Sequence, residues 1–289
     1  MFYEKWFEIK STDHFLVYLV KSLVNRFGDH EVAQIGGQLS YFFLLSLFPF
    51  IIFFNTLVST FQLTTDVVVE FLSPVLPAEI IEVVNSYIAH VSTGQNYGLL
   101  SIGIIITLFS ASKAVRSLDI AINTAYDVLE KRNYFIRLLL SMVLTLVAGV
   151  AIVILVIVTN LSGEFVVKIL ELLHVSKPVA NILYLLRWGV ILLMMFLGLS
   201  GLYYIMPNCK KNYKSVIPGT VFTICGFVLF TAVFSLYAQS ILASNTFYGS
   251  IGTIMILMLW LYIVGIITVL GAELNSSIRS YNLLHKRHT

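Results

Sequence analysis

The sequence SASKAVRSLDIAINTAYD, residues 110–127, follows directly from the apolar segment 99–109 with no turn signal between them. At about 100° per residue, four polar side chains fall within about 80° of one another on a helix: Lys113, Arg116, Asn123 and Asp127. The pattern predicts a hydrophobic helix that continues into a polar, largely basic stripe. Two interpretations stay open: the stripe is the solvated end of an interfacial helix, or it binds an anionic group such as phosphate.

The composition indicates an integral membrane protein. The chain has 289 residues, of which 58% are hydrophobic and only 11% are charged, whereas soluble domains carry roughly 25% charged residues. The net charge of +3 is too small to indicate a nucleic-acid partner. The two cysteines, Cys209 and Cys225, are too few for a disulfide framework.

The apolar runs predict an all-α, polytopic protein with a six-helix membrane domain over residues 34–277. A cytoplasmic segment, 1–33, precedes this domain, and a basic cytoplasmic tail, 278–289, follows it. The second run stays apolar for only about thirteen residues, or about 20 Å, whereas the hydrocarbon core is about 30 Å thick. Lys113 and Arg116 are therefore expected to snorkel to the interface or to face a hydrated cavity. The predicted spans are about 38–61, 98–116, 138–159, 182–206, 216–242 and 251–270.

Two further amphipathic segments are too short or too polar to span a bilayer. Residues 14–27 are apolar on one side and predict an N-terminal interfacial helix, with a helix packed beneath the bundle as the open alternative. Residues 76–91 predict an amphipathic helix on the outer side, between spans one and two.

The distribution of basic residues predicts the orientation. With six spans and the N-terminus inside, fifteen of the eighteen lysines and arginines lie on the cytoplasmic side and two outside, with Arg187 unassigned. This asymmetry is a strong positive-inside signal, so both termini are expected in the cytoplasm.

Proline and glycine mark the structural positions of the predicted helices. Pro49 lies in the middle of span one, where a kink is expected. Pro207 is expected to end span four, and Pro218 with Gly219 to lie in the first turn of span five, where proline is tolerated. Gly249 and Gly252 open span six and are candidate close-packing positions.

The sequence carries no motif for nucleotide use, hydrolysis or metal binding. Its six histidines are scattered over predicted loops and tails. We therefore expect no catalytic residues, no metal and no cofactor, and the protein is not expected to be an enzyme. The basic clusters 131–132 and 210–214 suit anionic lipid headgroups at the cytoplasmic face and lack the aromatic platforms expected of an RNA-binding surface.

A candidate substrate site follows from the polar residues near this face. Lys113 and Arg116 would supply charge and Asn123 a hydrogen bond, while Asp127 and Glu273 would pair with these bases or gate the site. Arg187 either snorkels or lines a polar pathway. The full candidate set is Lys113, Arg116, Asn123, Asp127, Arg187, Glu273 and Asn275.

Several short motifs occur in a fixed order along the chain: SLFPF (46–50), SASKAVRSLDIAINTAYDV (110–128), MPN (206–208), IPG (217–219), YGSIG (248–252) and LWLY…LGAELN (259–275). Together they resemble the YihY/BrkB family of bacterial inner-membrane proteins over about residues 15–277. That family often has arginine where this chain has Lys113, which keeps the charge but not the forked hydrogen bonding. Asp119 also departs from the expected pattern and makes a purely anion-binding stripe less certain.

The resemblance implies a six-helix membrane protein linked to envelope integrity, in a family once labelled ribonuclease BN. The absence of an acidic cluster or a histidine-rich metal site argues against nuclease activity. The leading hypothesis is a transporter or flippase of an anionic lipid or an envelope-related solute. The alternative is a non-transporting scaffold that holds envelope-assembly proteins.

Overall fold

The computed structural model describes residues 14–60, 97–151, 177–244 and 249–286, together with Ile81. These residues form helices and contain no strand, so the all-α prediction is confirmed for the described chain. The predicted outer helix at 76–91 lies outside it. The helices are α1 (Phe15–Asp29), α2 (Val32–Thr60), α3 (Tyr97–Ala125), α4 (Tyr134–Ala151), α5 (Lys177–Ile205), a 3₁₀ turn (Tyr213–Val216), α6 (Ile217–Ser244) and α7 (Gly249–Lys286).

Helix α7 is the centre of the packing. It contacts α1, α2, α3 and α6, and α2 also packs along α3. The core where these helices meet includes Leu39, Ile122, Tyr203 and Val269, each fully buried. Because α7 continues as one helix to Lys286, its last turns carry side chains that the sequence had placed in a separate tail.

Three of the described helical segments are long and apolar enough to cross a membrane, namely Tyr134–Ala151, Tyr213–Leu236 and Ile254–His285, and Gly189–Ile205 is a shorter apolar helix. Only 6% of the segment Tyr134–Ala151, helix α4, is buried inside the protein. Its aliphatic surface therefore faces away from the protein, as expected for a helix in contact with lipid.

Helix α1 has two different sides. Tyr18, Leu19, Ser22 and Asn25 are buried, and the Ser22 hydroxyl lies 2.9 Å from that of Ser277 on α7. The helix thus packs against the bundle, as the second of the two interpretations expects, and its other side is apolar and exposed. The outward residues are Phe15, Leu16, Val17, Val20, Val24 and Phe27.

The structural positions read from the sequence fall at helix ends or inside helices. Pro49 lies within α2, and Gly249 and Gly252 lie in the first turn of α7. Helix α5 ends two residues before Pro207, and Pro218 is the second residue of α6. A Cβ on Gly219 would overlap the Gly271 carbonyl oxygen, so glycine is required where α6 and α7 cross.

Candidate functional site

The end of α3 builds the first part of the site. The Asp127 N–H donates to the Thr124 carbonyl at 2.9 Å and the Val128 N–H to the Asn123 carbonyl at 3.0 Å. This pair of bonds is a Schellman motif, which closes a helix through a left-handed residue. Asp127 occupies that position with a φ of 54°. Glycine is the usual residue there, so Asp127 is held in a conformation that costs free energy for an L-residue.

Asp127 belongs to a four-residue ion cluster that joins three helices. Arg26 Nη2 lies 3.0 Å from Asp127 Oδ2, and Arg26 Nη1 lies 3.3 Å from Glu273 Oε2. His30 Nδ1 lies 2.6 Å from Glu273 Oε1, and His30 Nε2 lies 3.2 Å from Asp127 Oδ1. We call Arg26, His30, Asp127 and Glu273 the charge cluster.

The charge cluster extends from the protein interior to the surface. The Glu273 side chain is 0% exposed, whereas the Asp127 side chain is 61% exposed. A buried carboxylate is tolerated because cationic partners and hydrogen bonds replace its hydration. Arg26 also donates to the Ala125 carbonyl at 2.9 Å, where a cation is favoured by the dipole at the end of α3.

The surroundings of His30 favour its protonated form. Its hydrogen bond to Glu273 raises the imidazole pKa above the ordinary 6.5; burial opposes this rise, and the negative charge of Glu273 adds to it. The bonded arrangement therefore favours the imidazolium form, in which both ring nitrogens donate to carboxylates.

Asn123 is the centre of a second polar network. Its Nδ2 donates to Asp119 Oδ1 at 3.1 Å and to Glu130 Oε2 at 3.2 Å. Its Oδ1 accepts from the Asn208 N–H at 2.9 Å. The buried amide thus ties α3 to the segments that follow α3 and α5. Asp119 also accepts from Arg137 Nε at 3.3 Å, so this departure from the family pattern serves as an internal ion-pair partner.

The basic residues of the predicted stripe lie apart from the charge cluster. The Lys113 ammonium is 4.9 Å from the ring centroid of Phe109 on its own helix. Arg116 Nη1 donates to the Tyr134 hydroxyl at 3.3 Å. Asp127 and Glu273 share the cationic partners Arg26 and His30, whereas from the sequence we expected them to pair with Lys113 and Arg116 or to gate the site. Arg187 lies on α5, and its side chain is outside the described residues.

The Asn275 side chain binds the backbone at the start of α6. Its Oδ1 accepts from the Gly219 N–H at 2.7 Å, and its Nδ2 donates to the Val216 carbonyl at 3.2 Å. The buried amide therefore pairs a backbone N–H in the first turn of α6, where N–H groups have no partner within the helix, and it shares the Val216 carbonyl with the Thr220 hydroxyl. It fixes α6 on α7 two residues beyond Glu273.

Sequence reasoning missed Arg26 and His30 as site residues. One signal was available, because residues four apart lie on the same face of a helix and Arg26 and His30 have that spacing at the end of α1. Arg26 lies 101 residues from Asp127 and 247 from Glu273, and His30 lies 243 residues from Glu273, so nothing local identified their partners. Within the described residues, no group of three or more His, Cys, Asp or Glu side chains is arranged to hold a metal ion.

Comparison with known proteins relates this chain to one family of membrane proteins. Residues 23–288 match the family model described as virulence factor BrkB. A Bacillus subtilis (strain 168) protein named as ribonuclease-like, YfkH, is 36% identical over 93% of this chain and 95% of its own. A UPF0761 membrane protein of Pseudoalteromonas translucida is 26% identical over 90% of this chain and 85% of its own. Another, of Photobacterium profundum, is 27% identical over 93% and 82%. No solved structure matches.

Proposed function

Because this chain belongs to the BrkB family of membrane proteins, we propose that it is a transporter or flippase for an anionic lipid or an envelope-related solute. The observation that carries the proposal is the charge cluster, in which the fully buried Glu273 of an apolar helix is paired with Arg26 and His30. Ionisable groups within apolar membrane helices are costly, and they mark ion, proton or substrate pathways.

The chemistry of the cluster fits coupling of transport to a change in protonation. Proton exchange on His30 alters the net charge around Glu273, and with it the strength of the contact between α1 and α7. A helix contact that depends on protonation is a two-state element of the kind that transport cycles require.

The same proposal includes a location. The protein has six spans in the bacterial inner membrane, with both termini in the cytoplasm, so the charge cluster lies at the cytoplasmic face. Leu284→Cys in a Cys209→Ser/Cys225→Ser background tests this in spheroplasts. A membrane-impermeant maleimide should label the cysteine only after lysis, and labelling of intact spheroplasts contradicts the orientation.

Transport is tested with purified full-length protein in liposomes. Fluorescently labelled phosphatidylglycerol should become accessible to an impermeant quencher faster than in protein-free vesicles, and labelled phosphatidylcholine should not. Glu273→Gln should slow this exchange. Glu31→Gln, which changes an exposed carboxylate near the cluster, should not. If wild-type protein moves neither labelled phosphatidylglycerol nor a lipid-linked envelope precursor, the proposal is wrong.

The alternative role, a scaffold for envelope-assembly proteins, makes a different prediction. A scaffold would retain specific crosslinked partners and would support envelope integrity equally well with Glu273→Gln in place. Loss of envelope integrity in that variant, at normal abundance, favours transport. We propose no nuclease activity, because the sequence carries no acidic cluster or histidine-rich metal site to activate water.

A further inference from the structure

Lys211 has an unusual environment. It lies between α5 and the 3₁₀ turn, and its ammonium nitrogen is buried without a hydrogen-bond partner. The ammonium lies over the Tyr126 ring, 4.5 Å from its centroid. A buried ammonium carries three donors, and leaving them unpaired costs free energy unless a ligand accepts from them.

Two arginines from other parts of the chain contact the segment 205–210 that leads to Lys211. Arg279 on α7 donates from Nη1 to the Cys209 thiol at 2.9 Å and from Nη2 to the Lys210 carbonyl at 3.4 Å. Arg132 donates from Nη2 to the Ile205 carbonyl at 3.3 Å. The Arg132 Nη1 is buried without a hydrogen-bond partner, and its ion pair with Asp119 Oδ1 is long, at 4.0 Å.

Together, Lys211, Arg132 and Arg279 have fewer acidic partners than the cations of the charge cluster. Among the ion pairs of the described residues, none includes Lys211 or Arg279. Burial lowers the Lys211 pKa to about 8, and the positive charges of Arg279 and Arg132 lower it further against the opposing effect of Cys209. Arg132 lies 4.0 Å from carboxylate oxygens of Asp119 and of Glu130, whereas Lys211 and Arg279 have no carboxylate partner among the described residues. An anion bound beside Lys211 and Arg279 would therefore relieve the repulsion between them.

We propose that Lys211, Arg132 and Arg279 form a binding site for a phosphate group. A lysine supplies a point charge, while arginines supply the forked donors that match phosphate oxygens. The anion could be the headgroup phosphate of a lipid or a free phosphate, since both present the same oxygens. As a place for the anionic cargo, the site rests on the proposed function, but its binding can be measured without transport.

A purely structural role for Lys211 is the alternative to ligand binding. If Lys211 serves only to contact Tyr126, then Lys211→Met should lower the thermal stability of the unliganded protein and leave anion binding unchanged. If Lys211 serves a ligand, the same variant should keep or raise that stability, because it removes an unpartnered buried charge. Its Kd for the anion should rise about tenfold, the loss of one charge-assisted bond.

The test uses calorimetric titration of the full-length protein in detergent with two probes, inorganic phosphate and short-chain phosphatidic acid; phosphatidylcholine of the same chain length is the control lipid. The matched variant is Lys210→Gln, which changes the exposed neighbour of Lys211 and should leave both Kd values unchanged. Arg279→Lys, which keeps the charge without the fork, should weaken binding less than Lys211→Met.

The outcomes separate the possibilities. Binding of phosphatidic acid alone assigns a lipid headgroup, and binding of both probes assigns a phosphate site that is open to solutes. If wild type binds neither probe, or if Lys211→Met binds both as tightly as wild type, the site is refuted. If anion binding is intact but the protein moves neither labelled phosphatidylglycerol nor a lipid-linked envelope precursor in liposomes, the transport function is refuted and the site stands.

Discussion

The charge cluster predicts a measurable energetic coupling between Arg26 and Glu273. Glu273 is 0% exposed and Arg26 16% exposed, and their nearest atoms are 3.3 Å apart. Removing one partner of a buried pair leaves the other charge uncompensated, which costs 3–5 kcal/mol. Because His30 still contacts Glu273, we expect Arg26→Met to lower the free energy of unfolding by about 3 kcal/mol, the lower end of that range.

The reverse substitution should cost less. Glu273→Gln leaves Arg26 with Asp127 at 3.0 Å and the Ala125 carbonyl at 2.9 Å, so the guanidinium stays paired. We expect a loss of about 2 kcal/mol, within the range of about 1.5–3 kcal/mol for a hydrogen bond to a charged group. In the double variant no buried carboxylate is left without a counter-charge. The double variant should therefore cost about 3 kcal/mol instead of the sum of the two, a coupling of roughly 2 kcal/mol.

The assay is reversible unfolding in mixed detergent micelles, with thermal unfolding as a second readout. A loss of about 3 kcal/mol corresponds to a Tm lower by roughly 6–12 °C for a protein of this size. Lys214→Met, which changes an exposed cation, is the control and should stay within about 0.5 kcal/mol of wild type. If the two effects add to within about 0.5 kcal/mol, the ion pair is not formed in the protein and the reasoning is refuted.

Three further predictions concern other contacts. Wild type should be more stable than His30→Gln below pH 6.5, and this difference should disappear as the pH rises through the raised pKa of His30, because the imidazolium then loses its proton. The measurement is the Tm of both proteins from pH 5.5 to 8.5. A difference that grows with pH would contradict the pairing of a protonated His30 with Glu273. Gly219→Ala should lower the free energy of unfolding by at least about 1–3 kcal/mol, because the new Cβ would also lie 2.5 Å from Asn275 Nδ2. The control Gly198→Ala, with open space around its Cβ, should be neutral or stabilising by up to about 1 kcal/mol. Equal effects of the two substitutions in micelle unfolding would exclude a close crossing of α6 and α7. At Asp127, asparagine and glycine should be tolerated better than alanine by about 1 kcal/mol, because both adopt the left-handed backbone more readily; the same unfolding assay checks the order, and alanine as the best of the three would refute it.

Helix ends were the part of the fold that the sequence predicted most accurately. Pro207 lies just after α5 and Pro218 in the first turn of α6, because proline acts on the backbone of its own residue and its neighbours. The helix that was predicted to carry the polar stripe is present as α3, Tyr97–Ala125, but the contacts of its polar side chains were not predictable. Asn123 bonds to Asp119, Glu130 and the Asn208 backbone, and that use depends on segments far from α3.

The sequence by itself determined that this is a helical membrane protein. Composition and apolar run length report directly on transfer into a hydrocarbon core, in which each helix satisfies its own backbone hydrogen bonds. Only the tertiary structure decided that Glu273 meets Arg26 and His30, 247 and 243 residues away, and that Lys211 lies near Arg132 and Arg279. Side-chain pairing depends on which helix faces pack together, and α1, α3 and α7 bring their charges to one place only once α7 lies at the centre of the bundle.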